Sequence, residues 1–253
     1  MNPARIAAVI IAAIILLIII FLVAFPYFLL IRIMEHNVIY STLRTPQVKI
    51  SEIYPHLKTG DLLMFVSPTG MNSALSQTFF SHASMLLREG DLVYTTETSM
   101  TCNIMPNPDH PGTEYYMKKG AASAPMLTRV KFYNGMTFVM PLSRALDPEC
   151  ERIVKDTADQ IHKTGYAYPT LRQGFASAMF GCKTATRHCF QHVAHLLDTA
   201  GLTPLNQDKP LAESGFLQVC QIVSNLANCA LPDGYHYERP VRLLYDIDAP
   251  SFA

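Results

Sequence analysis

One stretch limits this chain more than any other: from Ile6 to Ile31 there is no charged side chain. The run is about 26 residues long, where about 20 suffice for a helix to cross a bilayer. Its Ile, Leu, Val, Ala and Phe residues are apolar all round, so no polar stripe marks a face for solvent while another packs on a protein core. A signal peptide would have an apolar region of only about 7–15 residues, and no small-x-small cleavage site closes this one. The expectation is a retained transmembrane anchor over residues 1–33, a polar connector over 34–57 and a folded domain over 58–248. Arg5 and the α-amine precede the run, whereas Arg32, Arg44 and Lys49 follow it. That excess leans the domain toward the cytoplasmic side of a single-pass membrane protein.

Charge elsewhere excludes a partner class. Lys plus Arg (20) equal Asp plus Glu (20), and no basic patch interleaved with aromatics appears, so nucleic-acid binding is set aside. The six cysteines (102, 150, 182, 189, 220 and 229) are scattered without C-x-x-C spacing. Such a distribution fits a reducing compartment better than a disulfide framework or a zinc site.

Past the connector, Lys58-Thr59-Gly60-Asp61 is a turn signal before an apolar strand, Leu62–Val66. A short helix is expected within Asn72–Phe80, then two strands, His82–Leu87 and Leu92–Thr96, joined at Glu89-Gly90-Asp91. Residues 99–126 are rich in Pro, Gly, Asn and Met without a period, and read as a long loop, either a substrate lid or a mobile insertion. A strand over Thr137–Leu142 follows. Asp147-Pro148 then opens a helix to about Lys163, Gly165–Pro169 reads as a turn and Arg172–Phe180 as a helix. Cys189–Ala200 has an apolar face at Phe190, Val193, Leu197 and Ala200, with Gly201 and Pro204 as the stop. Phe216–Leu226 reads as helix and Pro240–Tyr245 as a last strand. With strands early and helices late, the expected class is α+β, an antiparallel sheet packed on helices.

Within that frame Cys189 has a chemically meaningful place. A thiol in the first turn of a helix meets unpaired amides and the positive end of the dipole, which favour thiolate and can hold an oxyanion. His82, at the start of a strand, is the natural base, and Glu97, at the end of the next strand, can orient its ring. A competing arrangement is metal binding by His188, His192 and His195, which share a helical face beside Cys189. The zincin pattern, however, needs Glu after the first His, and Cys189 stands there. His110 reads as solvated. The twelve methionines suit either a lipid-facing groove or ordinary core packing.

Taken in order, Gly60-Asp61-Leu62-Leu63-Met64-Phe65, Ser81-His82-Ala83-Ser84, Glu97, Gly165-Tyr166-Ala167-Tyr168 and the helix opened by Cys189 resemble one family. It is the circularly permuted NlpC-type papain-like group, which includes bacterial lipid- and murein-associated hydrolases, poxvirus members and lecithin:retinol acyltransferase-like enzymes. In this group the His precedes the Cys. The resemblance spans residues 58–245 and implies Cys189 as nucleophile, His82 as general base and acid, and Glu97 as the third polar residue. It implies an acyl-enzyme on an ester or amide, with no metal or organic cofactor. Phe190-Gln191 stands where members often carry Ser-Glu, and Ala83-Ser84 where Val-Gly is usual, so substrate specificity is not carried over. The expected activity is that of a thiol hydrolase or acyltransferase on lipid or lipid-linked acyl groups. A peptidase or amidase on peptide, isopeptide or murein-like bonds, and a catalytically silent binding protein, are the alternatives.

Overall fold

In the computed structural model, which describes residues 3–69, 71–99, 103–106, 114–117, 120–164 and 188–247, the charge-free run is helical but the helix continues past it. Helix α1 spans Pro3–Thr42 and is long and apolar enough to cross a membrane. The stretch expected to be a connector is therefore mostly structured. Its first part is the end of α1, and β1 (Gln47–Lys49), α2 (Ile50–Ile53) and a 3-10 turn over Tyr54–His56 follow. Ile50 and Leu57 are buried in the core, so the packed part of the chain begins before Lys58.

β2 (Leu62–Val66) is buried at all five positions, as befits an apolar run with partners on both edges and both faces. After α3 (Met71–Ser76), the strands β3 (His82–Glu89) and β4 (Leu92–Ser99) form the expected hairpin around Gly90. The aperiodic stretch after them is not simply a loop. β5 (Asn103–Pro106) and β6 (Glu114–Met117) pair with each other, and β7 (Gly120–Pro125) pairs antiparallel with β4. Gly120-Ala-Ala-Ser-Ala-Pro125 has no alternation to betray a strand; its identity comes from the partner edge. The chain continues through α4 (Met126–Lys131), β8 (Met136–Met140), α5 (Pro148–Thr164), α6 (Cys189–Thr199), α7 (Phe216–Ser224) and β9 (Val241–Leu244). The turn expected at 165–169 and the helix at 172–180 lie outside the described residues, as do Cys102, Cys182 and His110.

The main sheet has the order β1-β9-β8-β2-β3-β4-β7. Its pairings are antiparallel except β1 with β9, which is parallel, so the sheet is mixed where a purely antiparallel one was expected. The difference arises because β1 belongs to the supposed connector and enters the edge from α1 without a hairpin. Alternation along β2 divides the core. Leu62, Met64 and Val66 face α5, α6 and α7, whereas Leu63 and Phe65 face α2 and α4. The class is α+β. α6 lies against β3 and β4, which brings its first turn toward the end of the sheet where β3 begins.

Candidate active site

His82 is the first residue of β3, held there by its neighbour. The Ser81 amide donates to the Phe65 carbonyl at 2.8 Å, and the Ser81 hydroxyl accepts the Ser67 amide at 2.9 Å. The His82 ring packs on Phe65 with centroids 5.2 Å apart. On the neighbouring strand Met85 faces Thr96, so Ser84 faces Glu97 and His82 lies diagonally from that carboxylate. His82 Nε2–H donates to Glu97 Oε2, which leaves Nδ1 as the ring nitrogen for the thiol.

Glu97 is fully buried and has a second partner that sequence reasoning did not name. Arg129 of α4 donates from Nε to Oε1 at 2.6 Å and from Nη2 to Oε2 at 3.3 Å. Its guanidinium lies over the Phe65 ring at 4.6 Å and is itself buried. A lone cation inside the apolar stretch Met126–Val130 was the signal available. Burial alone would raise the Glu97 carboxyl, but Arg129 first and His82 second outweigh it and bring it down to about 2. The carboxylate therefore stays ionised and holds the imidazole in one orientation.

Cys189 is buried at the N-terminus of α6. The boundary residue is His188, extended at φ −86° and ψ 173°, whose amide reaches Gln191 Oε1 at 3.4 Å. Burial opposes thiolate, yet the positive charge of His82 first, with His188 beside it, lowers Cys189 to about 5. The reciprocal holds for His82. Burial pushes it down, but the Cys189 thiolate and then Glu97 raise it to about 9. Each group therefore favours the charged form of the other, thiolate beside imidazolium. Cys220, buried behind it, is pushed well above the usual thiol range by burial and by Cys189.

The structure thus brings Cys189, His82 and Glu97 together, while the three helix histidines diverge. The His188 ring meets Phe216 edge-on at 4.4 Å. His192 bonds Thr96 Oγ1 at 2.9 Å, the same hydroxyl that His162 meets at 3.0 Å, and His195 is half-buried. A hydroxyl has one proton, so Thr96 donates to one imidazole and accepts from the other. Among the described residues no group of three or more His, Cys, Asp or Glu side chains is arranged to hold a metal. The Thr96–His162 contact had no sequence signal, because 66 residues separate the partners.

No family model matches the sequence, and no curated protein matches it. Among solved structures, it is similar to the metalloprotein yiiX from Escherichia coli O157:H7 at 14% identity, covering 75% of this chain and 98% of that one, with a TM-score of 0.39. Similarity at that level does not define a shared fold.

Proposed function

We propose that this chain is a membrane-anchored thiol hydrolase or acyltransferase, of permuted papain-like type, acting on lipid or lipid-linked acyl groups. The observation that carries the reading is the placement of buried Cys189 at the start of α6 beside half-buried His82, with Glu97 and Arg129 behind the imidazole, an arrangement that favours the charged form of each. A packing cysteine has no need of such surroundings; Cys220, one helix away, is driven the opposite way.

In the reaction the Cys189 thiolate attacks the carbonyl carbon of an ester or amide, forming a C–S bond and an oxyanion. First-turn amides of α6 are suited to hold that oxyanion. Collapse expels the alcohol or amine, which takes its proton from the His82 imidazolium, and leaves a thioester on Cys189. His82, now neutral, removes a proton from water or an acceptor alcohol or amine, whose oxygen or nitrogen displaces the thiolate. The acyl group leaves as acid or as transferred product, and the ion pair is restored. The apolar helix α1 keeps this chemistry at a bilayer, with the domain on the cytoplasmic face by the Lys and Arg balance.

The test is labelling with an electrophilic acyl probe, comparing the native chain with Cys189→Ser, His82→Ala and Cys220→Ser. Labelling lost in the first two and kept in the third supports the reading. Equal labelling in all four, or none in the native chain, removes it.

A further inference from the structure

Helix α1 meets the domain along one face. Phe25, Leu29, Ile33, His36 and Tyr40, spaced four, four, three and four residues apart, are buried or half-buried along a single helical stripe, and Leu43, just past the helix end, is half-buried too. His36 is the centre of the contact. It is buried, its Nε2–H donates to the Ser67 carbonyl at 2.8 Å, and its ring lies 5.8 Å from Phe79. The Ser67 amide in turn donates to the Ser81 hydroxyl, one residue before His82. A single residue, Ser67, therefore joins the anchor helix to the strand end that bears the imidazole.

His36 stands five residues beyond Ile31, the end of the charge-free run, about 7.5 Å along a helix axis. On the side away from the domain Met34, Val38 and Ile39 are exposed at 60%, 61% and 46%. Val38 and Ile39 carry the apolar surface of the span past His36, with Glu35 beside them paired to Arg32 at 2.8 Å, and the bilayer that covers the span is the occupant continuous with them. The headgroup region adds about 5–8 Å on each side of the hydrocarbon core, so the His36 contact falls within it.

We infer that α1 is a rigid mount and not a tether: His36, as a positioning residue, fixes the His82 end of the sheet at the bilayer surface, so that the site takes its acyl substrate from the adjoining leaflet. This rests on the thiol chemistry proposed above, and the two are separable by experiment.

The test uses the full chain in phosphatidylcholine vesicles. Four alanines inserted between Ile31 and Arg32 lift the domain by about 6 Å while leaving the contacts of Ile33, His36 and Tyr40 with the domain intact. Two activated esters are compared, p-nitrophenyl acetate from the aqueous phase and p-nitrophenyl palmitate dissolved in the bilayer. A mount predicts that the insertion lowers palmitate turnover about tenfold or more and moves acetate turnover less than about twofold. Unchanged palmitate turnover overturns it. Hydrogen exchange over residues 33–43 gives a readout independent of catalysis. A mount predicts protection close to that of the core in the native chain, exchange about tenfold faster in His36→Ala, and recovery in His36→Gln, which retains a donor for Ser67. Fast exchange in the native chain overturns the mount. Slow exchange with no turnover of either ester overturns the thiol chemistry alone.

Discussion

Cys189 shows why a residue's chemistry belongs to its surroundings. A first-turn thiol was legible in the sequence, but the charges that make it acidic come from β3, β4 and α4. Activity is expected to be bell-shaped in pH, rising as Cys189 ionises near 5 and falling as His82 loses its proton near 9. Initial rates on a soluble ester across that range check it; a single limb centred near the ordinary thiol range would refute it. Glu97 makes a separate contribution to stability. Because its folded value is depressed from 4.5 to about 2, its contribution is fully present above 4.5 and is lost as pH falls through about 2. Its size is on the order of 3 kcal/mol. Arg129→Met keeps most of the side-chain volume but leaves the buried carboxylate with His82 alone. Urea unfolding at pH 7 is expected to show a loss of about 3–5 kcal/mol, with acid unfolding moved to higher pH.

Elements were readable where their own pattern sufficed. α6 is amphipathic, begins at Cys189 and ends before Gly201, whose φ of +69° is the left-handed stop that Gly supplies without strain. β2 and the β3–β4 hairpin declared themselves by apolar runs bounded by Gly turns. β7 and β1 did not, because short strands of small or polar residues take their identity from the edge they join. The end of α6 is tied to the next segment by Asp198, whose carboxylate accepts the Leu211 and Ala212 amides, each at 2.8 Å, and the Thr203 hydroxyl. Asp198→Ala strips those donors of their acceptor. Thermal unfolding is expected to report a loss of about 1–3 kcal/mol, with the Cys189 acyl-probe reaction retained at temperatures where the variant is folded.

At the scale of the whole molecule, α1 is long and apolar enough to fix the chain in a membrane. The chain is expected to stay with membranes through alkaline carbonate extraction, and release into the supernatant would contradict a spanning helix. The proposed cytoplasmic placement of the domain rests on Arg32, Arg44 and Lys49. In sealed vesicles of known sidedness, an impermeant maleimide is expected to reach part-exposed Cys229 only from the cytoplasmic face. Labelling from the opposite face would reverse the assignment.

The apolar span, the strand–hairpin–helix order and the candidates Cys189, His82 and Glu97 were legible in the residues alone, because each depends on local periodicity, local turns or the bare absence of charge. Folding was needed to reveal that Arg129 clamps Glu97, that Thr96 joins His162 to His192, that β1 enters the sheet in parallel and that His36 binds α1 to the domain. These are contacts between segments tens of residues apart. No local pattern encodes them, since a buried polar group is stabilised by whichever partner the packing delivers.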